Sequence, residues 1–371
     1  MSPTVTLVGR PFGPTGMGER LRAIFRSLRA VGVDVHVRNV ADPGEHPEPE
    51  EASDLRARLV ERLDGDFTVV VMNGDERELV STTLASEPGQ AGRTIAYPAW
   101  ELQRYPETWA RELEHCDEVW AASSYSGAAL REVVRRPVTV LPLPCHPALE
   151  RPFHRRHFGI SETAYVFVSL FDPASATERL NPQALRDAVD LLRAARPFAE
   201  FQVVVRLGHT GADPAATARL KAWLEPHRRQ VLLIDSPLSS DEVTSLVRVG
   251  DAFVSLHRAE DFGFGPGAAM YFGKPVVATG FSGNLEYMTR ETALLVDSRM
   301  TLVQEGQHPH ASRQAWADPD VEQAAAHMIK LLDDPDGGRA LGARASAHVR
   351  THFSQRACGL RYAARLAELA R

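Results

Sequence analysis

Residues that could bind an anion or a sugar are concentrated between positions 255 and 288. Glu260 follows a predicted strand, and a turn formed by Gly263, Phe264 and Gly265 then opens a predicted helix. The first amides of a helix have no partner within it and lie at the positive end of its dipole, so this turn suits a phosphate or a sugar hydroxyl. The acid and the turn together predict a ligand site.

A second open turn follows closely in the chain. It comes after a predicted strand at 276–278 and contains Ser282, Gly283 and Asn284, with Glu286 close behind. In doubly wound sheets, ligands bind at the carboxyl ends of the strands. We therefore expect both turns to face one crevice. His257 and Arg258, which follow the strand before Glu260, are expected to point into it on alternate sides.

Cationic and small residues follow other predicted strands. Gly16 and Gly18 lie after the first strand and open a helix, which lets the backbone approach a diphosphate closely. Glycines at this place are also common in α/β folds for purely structural reasons. Two arginines are candidate phosphate ligands: Arg179, after the first strand of the second half, and Arg206, at the end of the next strand. A guanidinium can donate two parallel hydrogen bonds to the oxygens of one phosphate. Arg179 as a plain surface cation is the alternative.

Aromatic and acidic residues form a further group in the first half. Trp100 and Glu101 follow a predicted strand at 94–96, and Asn73 and Asp75 follow another. Aromatic rings stack on sugars, and carboxylates accept bonds from their hydroxyls. A packed aromatic cluster with capping residues is the competing interpretation.

Strand and helix patterns alternate along the chain, which is typical of parallel sheets covered on both faces. The predicted strands are 5–8, 34–38, 68–72, 94–96, 118–121 and 138–141 in the first half, and 165–170, 201–206, 231–234, 252–256, 276–278 and 293–296 in the second. We predict two doubly wound, Rossmann-like domains facing a cleft. The domains are 1–145 and 146–353, joined by a proline-rich, basic linker at 143–156, with a C-terminal helix in 354–371.

Composition narrows the class of protein. The 371 residues carry a net charge of −6, which argues against a nucleic-acid partner. No apolar run reaches the length of a membrane span, although peripheral association with a membrane stays open. The three cysteines are widely spaced, and the N-terminus enters a strand without a leader-like pattern. We expect a reduced, cytoplasmic protein.

Metal binding is not expected. His308 and His310 lie in a stretch at 303–316 that has no apolar period and is predicted to be a surface excursion. Two histidines without a third ligand make a weak metal motif. The Asp-Pro-Asp triplets at 318–320 and 334–336 are interpreted as helix caps. The predictions therefore include no metal and no cofactor.

Several motifs together resemble retaining GT-B glycosyltransferases, specifically the large family 4 and a bacterial branch that acts on polysaccharides or natural products. These motifs are SLHRAEDFGF followed by GKPVVATGFSGN, ERLNP at 178–182, the G-x-G-E turn at 16–19, WELQRYP at 100–106 and the N-x-D turn at 73–75. The resemblance covers nearly the whole chain. It implies a nucleotide-sugar donor, a saccharide or small-molecule acceptor and no metal, and it implies that the C-terminal helix crosses back to the first domain.

The resemblance also implies a role for each residue. Catalysis falls to Glu260, Arg179 and His257, with Glu101 a loosely assigned base. Donor binding falls to Gly16, Gly18, Arg206, Gly263, Phe264, Gly265, Ser282, Gly283, Asn284 and Glu286. Acceptor binding falls to Asn73, Asp75, Trp100 and Glu101.

The sequence departs from the family pattern at two donor-site positions. Ala268 replaces the second glutamate of the E-x7-E motif, and Leu180 replaces a lysine that follows Arg179. Glu286 and Arg206 are the candidate substitutes. These departures keep two alternatives open: a non-catalytic glycosyltransferase-like partner or sugar-binding subunit, and an enzyme of the same architecture with another reaction, such as an epimerase, or with an unusual donor.

Overall fold

The computed structural model describes residues 3–13, 15–40, 53–63, 65–73, 76, 92–173, 177–211 and 213–371. The chain divides into two compact units. The first unit consists of residues 1–144 together with 351–371, and the second unit is 145–350. Each unit is built around its own six-stranded sheet.

The sheet of the first unit is parallel throughout. Its strands are β1 (Thr4–Gly9), β2 (Asp34–Asn39), β3 (Phe67–Val71), β4 (Arg93–Ala96), β5 (Glu118–Ala121) and β6 (Val138–Val140). They lie in the order β2-β1-β3-β4-β5-β6, so the direction of winding reverses between β1 and β3. A crevice for ligands is expected at the carboxyl ends of such a pair.

Helices of the first unit cover this sheet. They are α1 (Gly16–Arg29), α2 (Ser53–Arg56), α3 (Glu107–Leu113), α4 (Ser124–Arg131) and the C-terminal α12 (Gln355–Leu369), which packs on α1. Gly359 of α12 lies so close to α1 that a Cβ there would meet the carbonyl oxygen of Ser27 at 2.0 Å. Arg365 of α12 also pairs with the buried Glu118 at 2.9 Å. The C-terminal helix is therefore an integral part of the first unit.

The sheet of the second unit is also parallel. Its strands are β7 (Tyr165–Phe171), β8 (Phe201–Leu207), β9 (Val231–Ile234), β10 (Ala252–Ser255), β11 (Val276–Thr279) and β12 (Leu294–Val296). Their order is β12-β11-β10-β7-β8-β9, which places the reversal between β7 and β10. The chain segments after these two strands are thereby brought to one crevice.

The second unit has helices on its sheet and a short hairpin beside it. The helices are α5 (Thr177–Leu180), α6 (Pro182–Ala195), α7 (Pro214–Leu224), α8 (Ser240–Val249), α9 (Phe264–Tyr271), α10 (Val321–Asp333) and α11 (Pro335–His352). The start of α6 follows the sequence signals: the Asn181 side chain accepts from the Ala184 amide, and Pro182 occupies the first turn. The predicted strands and the doubly wound fold class are confirmed in both units.

Three local predictions need correction. The 303–316 stretch was predicted to be a surface excursion, but its last residues belong to a strand. This strand, β14 (Ala315–Pro319), pairs with β13 (Ser298–Leu302) in an antiparallel hairpin. Pro319 therefore ends a strand, and the cap of α10 is Asp320 alone. The sequence pattern at 53–63 predicts a helix, but the helix ends at Arg56 because the backbone of residues 58–60 pairs with Val37 instead.

Arg155, which lies in the basic segment predicted to be a linker, is part of the packing of the second unit. The guanidinium of Arg155 donates to the carbonyl oxygens of Val249, Ser161 and Ala164 and pairs with Asp251 at 2.8 Å. The Arg155 charge therefore satisfies internal acceptors, whereas Arg151, His154, Arg156 and His157 are exposed to solvent. In the described part of the chain, no helix is long and apolar enough to cross a membrane.

Candidate functional site

Arg179 and Glu260 meet where the winding of the second unit reverses. Arg179 follows β7 and Glu260 follows β10, and their side chains form an ion pair with Nη1 and Oε2 3.2 Å apart. The same Nη1 donates to the carbonyl oxygen of Ala259 at 2.7 Å. The Arg179 side chain is only 7% exposed and that of Glu260 18%. The pair therefore holds the two loops together while keeping one carboxylate edge accessible.

A cavity of about 110 Å³ opens beside this pair. It is lined by the ends of β7 and β10, by Leu180 and Glu260, and by the start of α9 at Gly263–Pro266. Its wall includes the apolar side chains of Leu170, Phe253 and Phe264. Glu260 is the only ionisable residue of this described lining, so the cavity offers one carboxylate beside a helix start.

The start of α9 is shaped by glycines. Gly263 has φ +89°, a conformation that other residues adopt only with strain, and no described side chain caps the helix there. The Tyr287 hydroxyl donates to the Gly263 carbonyl oxygen at 2.6 Å, which fixes the turn from behind. A Cβ at Gly265 would lie 3.0 Å from the Phe253 ring. The turn thus presents helix amides without a side chain in front of them.

The two turns predicted from the sequence interlock. The Glu260 amide donates to the Ser282 hydroxyl at 2.7 Å, and the Gly283 amide donates to the Glu260 carbonyl oxygen at 2.9 Å. A Cβ at Gly283 would lie 1.8 Å from the Asp261 carbonyl oxygen, so only glycine fits. Ser282 adopts φ +75°, an uncommon conformation for serine. Ser282 and Gly283 therefore set the position of Glu260.

His257 is fully buried and bonded on both ring nitrogens. The Asn284 amide nitrogen donates to the Thr279 carbonyl oxygen at 3.0 Å, which turns the Asn284 Oδ1 toward His257 Nε2 at 3.1 Å. Nε2 must then carry the proton, and Nδ1 accepts from the Ser255 hydroxyl at 3.0 Å. Burial lowers the pKa of His257, which favours the neutral ring. In this arrangement His257 links the strand end at Ser255 to the turn at Asn284, whereas its predicted role was to contact the sugar.

Arg258 does not point into the cavity, contrary to the expectation from its position. Its Nη1 donates to the Glu178 carbonyl oxygen at 2.8 Å, and its guanidinium lies 3.7 Å from the Asp318 carboxylate and 5.4 Å from the centre of the Trp316 ring. The Arg258 amide also donates to the Arg179 carbonyl oxygen at 2.7 Å. Arg258 thus stabilises the segment that carries Arg179.

Arg206 lies at the end of β8, next to the end of β7. Its guanidinium folds over Gly208, where a Cβ would meet Nη1 at 2.2 Å. Burial lowers the pKa of Arg206, and the Asp172 carboxylate partly offsets this. Asp172 itself contacts the ring of His209 at 2.7 Å. The Arg206 side chain makes no hydrogen bond with any other residue that the structure describes, so it is a second cation at this sheet edge.

Leu180 and Ala268, the two residues that depart from the family motif, differ in their surroundings. Leu180 lines the cavity and packs against the core of the second unit. Ala268 lies in the second turn of α9 and is partly exposed. Glu286 ends a short 3₁₀ helix, Gly283–Glu286, and is partly exposed.

Gly16 and Gly18 differ in what the first unit requires of them. Gly16 begins α1, and a Cβ there would meet nothing within 4 Å. A Cβ at Gly18 would lie 2.2 Å from the Gly13 carbonyl oxygen, so this residue is needed for the tight turn. Arg22 donates to the carbonyl oxygens of Pro11 and Gly13 and thereby holds the turn closed. Gly16 is the more open of the two positions.

Asn73 ties together loops at the carboxyl edge of the first sheet. Its Oδ1 accepts from the Ala99 amide at 3.0 Å, and its own amide donates to Glu76 at 3.1 Å. Glu76 in turn lies 3.4 Å from Nε of Arg10, in the loop after β1. The loops after β1, β3 and β4 are therefore connected. Asp75, the other predicted acceptor residue of this turn, lies outside the described residues.

Trp100 packs inside the first unit instead of offering a platform for a sugar. It is 2% exposed, and its ring lies edge-on to Tyr105 and Trp109 with centroids 5.5 and 5.6 Å away. This is the packed cluster that the sequence left open. Glu101, the next residue, is partly exposed and interacts electrostatically with the buried Arg20 and with Tyr125. Glu101 is thus the more accessible of the two predicted residues.

Sequence reasoning missed two residues that build these sites. Tyr287 holds the glycine turn through its hydroxyl, and Arg20, which lies on α1, donates to the Pro98 carbonyl oxygen at 3.0 Å and stacks on Tyr97. Neither belongs to a recognisable motif. The only signal for Arg20 is an arginine on the apolar face of a helix. Among the described residues, no three His, Cys, Asp or Glu side chains form a metal-binding group.

Comparisons with known proteins support the architecture. No protein-family model and no curated protein matches the sequence. The structure of HepE from Anabaena in complex with UDP-glucose matches with 14% identity and a TM-score of 0.68, over 99% of this chain and 100% of that one. The chain has the GT-B fold.

Two further GT-B structures match over nearly the full length of both chains. Sucrose-phosphate synthase from Thermosynechococcus elongatus is 16% identical, with a TM-score of 0.70 over 99% of this chain and 98% of its own. A glycosyltransferase from Rickettsia africae is 13% identical, with a TM-score of 0.69 over the same shares. The GT-B fold that the motifs predicted is confirmed.

Proposed function

We propose that this protein is a glycosyltransferase that moves a sugar from a nucleoside diphosphate sugar, with retention, to a hydroxyl of a saccharide or natural product. The observation that carries the proposal is the meeting of Arg179, Glu260 and the uncapped start of α9 at the reversal point of the second sheet. The UDP and UDP-glucose complexes of HepE, a protein of the same fold, favour a uridine diphosphate donor.

In this proposal, the second unit binds the donor. Arg179 and the amides at the start of α9 stabilise the diphosphate, and Arg206 adds a second cation at the same edge. The sugar hydroxyls bond to Glu260, whose position is set by Ser282 and Gly283. These cationic and dipolar groups supply the electrostatic stabilisation without a metal.

The chemical step exchanges one bond at the anomeric carbon for another. The bond from that carbon to the diphosphate oxygen breaks, and the acceptor hydroxyl oxygen bonds to it from the same face. Negative charge develops on the leaving diphosphate, where Arg179 stabilises it. The acceptor proton passes to a base, for which we propose Glu101 in the first unit. Asn73 and Asp75 belong to the same acceptor-binding unit in this proposal.

The experiment that tests the proposal measures nucleoside diphosphate release from a panel of UDP-, GDP-, ADP-, TDP- and CDP-sugars, with and without EDTA. Acceptor pools are drawn from saccharides and natural products of a bacterial cytoplasm, the expected location. Product formation that EDTA leaves unchanged, with the donor's anomeric configuration kept in the NMR spectrum, supports the proposal. Inverted configuration or loss of activity in EDTA contradicts the corresponding part.

A second candidate function is a non-catalytic sugar-nucleotide-binding subunit. The apolar Leu180 in the wall of the cavity and Ala268 on α9 favour it, because they remove polar groups from the donor site. Binding of a nucleotide sugar without turnover by any acceptor would support this alternative. Interconversion of the donor alone would indicate an epimerase.

A further inference from the structure

Tyr271 lies between the two places where the chain passes from one unit to the other. The second unit begins at Cys145 and ends at Arg350. The ring of His146, the second residue of the unit, stacks on Tyr271 with centroids 4.4 Å apart and planes 21° apart. The guanidinium of Arg350, the last residue, lies 3.8 Å from the centre of the Tyr271 ring. One side chain therefore contacts both connecting segments.

Hydrogen bonds reinforce this stack from both connecting segments. The Tyr271 hydroxyl and His146 Nε2 lie 3.0 Å apart. On the other segment, Nε of Arg350 and the hydroxyl of Ser346 both donate to the Tyr271 carbonyl oxygen, at 3.3 and 2.9 Å. A cation over an aromatic face and two bonds to one carbonyl make a specific attachment, beyond apolar packing.

Tyr271 is also the last residue of α9, the helix whose first turn lines the donor cavity. The middle of α9 touches the first connection as well, because a Cβ at Gly267 would lie 3.0 Å from the Cys145 sulfur. A single short helix thus joins the cavity at one end to both connecting segments at the other. A helix of eight residues transmits a shift of one end to the other because its backbone bonds are internal.

We propose that Tyr271 is a positioning residue that fixes the two connecting segments to the second unit and couples them to occupancy of the cavity through α9. The coupling part of this inference rests on the proposed donor site, whereas the anchoring part does not. Losing the aromatic ring should release both segments together. Losing only the hydroxyl should release the His146 side more than the Arg350 side.

The test compares hydrogen–deuterium exchange in wild type, Tyr271→Leu, Tyr271→Phe and the control Tyr165→Leu, all without ligand. Tyr165 is a partly buried tyrosine of the same unit at the start of β7, and its ring packs against Phe167 and the core of that unit. In Tyr271→Leu, amides at 143–148 and 347–354 should both exchange faster, by about 2- to 30-fold as expected for a lost cation–aromatic contact. Tyr165→Leu should leave both segments at the wild-type rate.

Unchanged exchange at both segments in a folded Tyr271→Leu protein overturns the anchoring. If that variant fails to fold, Arg350→Gln provides the same test for 347–354 alone, and wild-type exchange there also overturns it. UDP is then added as the probe. In wild type it should protect both 260–266 and the two segments, but in Tyr271→Leu only 260–266. Protection of the segments in both proteins overturns the coupling, whereas absence of protection at 260–266 in wild type overturns the donor site and leaves the anchoring result standing.

Discussion

The guanidinium of Arg179 and the carboxylate of Glu260 lie 3.2 Å apart and join the loops after β7 and β10. Each residue thereby fixes the other at the reversal point of the sheet. A donor that binds there must share Arg179 with Glu260, so its diphosphate and its sugar are positioned by one ion pair. The pair is the structural centre of the proposed activity.

Replacing Glu260 tests this centre. Glu260→Gln keeps the size of the side chain but removes the charge that bonds to sugar hydroxyls and to Arg179. We expect kcat/KM to fall by about 100-fold. The melting temperature should fall as well, because the nearly buried Arg179 loses its counter-charge and keeps only polar partners such as the Ala259 carbonyl oxygen. The matched control is Glu178→Gln, an acid in the neighbouring loop that pairs with Arg258 at 3.4 Å. Equal losses in the two variants would contradict a direct role for Glu260.

Gly283 and Gly16 should respond in opposite ways to the same change. Gly283→Ala places a Cβ 1.8 Å from the Asp261 carbonyl oxygen, which forces the two turns apart. We expect a loss of about 2–3 kcal/mol in the free energy of unfolding and loss of donor binding. Gly16→Ala meets nothing within 4 Å at a helix start and should be neutral or slightly stabilising. Chemical denaturation of both proteins measures the difference, and a stable Gly283→Ala protein would refute the close approach.

Stability should depend on pH through His257. Burial lowers its pKa in the folded protein below the ordinary value of about 6.5, so the unfolded chain binds the proton more readily. The stabilisation is therefore complete above about pH 6.5 and is lost as the pH falls through the lowered folded pKa. His327, whose pKa burial also lowers, contributes in the same direction.

The melting temperature measured from pH 8 to pH 5 checks this dependence. His257→Gln should flatten the curve, because the variant has no proton to bind at this position. His115→Gln, at an exposed histidine of the first unit, should keep the wild-type slope. A slope that is the same in all three proteins would mean that His257 does not titrate on unfolding.

The C-terminal helix should depend on Arg365. Glu118 is 1% exposed and accepts from Arg365 and from the Trp120 indole. Arg365→Met leaves this carboxylate buried without its cation, and we expect a loss of about 2 kcal/mol, since the arginine end of the pair is partly solvated. The double variant Glu118→Leu with Arg365→Met should recover most of the loss. Denaturation of both variants measures it, and no recovery would show that the pair matters for more than charge.

The strands and the two-sheet topology could be predicted because apolar runs and helix caps are local signals. The cap of Asn181 before Pro182 and the glycine turn at 263–265 are examples. The directions of side chains could not be predicted in the same way. His257 and Arg258 follow the same strand. His257 is buried and bonds to Asn284, whereas Arg258 donates to the Glu178 carbonyl oxygen, because residues distant in sequence decide their partners.

Long-range packing also decided the remaining differences. The sequence predicts that Trp100 binds a sugar, but Tyr105 and Trp109 pack against it inside the first unit. The β13–β14 hairpin escaped prediction because the two strands pair with each other and show little apolar alternation, with Arg299 and Leu302 exposed. Tyr287 and Arg20 were missed because the carbonyl oxygens to which they donate are distant in sequence.

The most direct measurement is the thermal shift of wild type and Arg179→Gln with UDP, GDP, ADP, TDP and CDP. A ligand at about 100 times its Kd stabilises a protein by about 2.7 kcal/mol, which raises the melting temperature of domains of this size by roughly 5 °C or more. The proposed function predicts such a rise for one nucleotide, UDP in the first place, in wild type and its loss in Arg179→Gln. A flat response of wild type to every nucleotide, or an equal rise in both proteins, would contradict a donor site at Arg179 and Glu260.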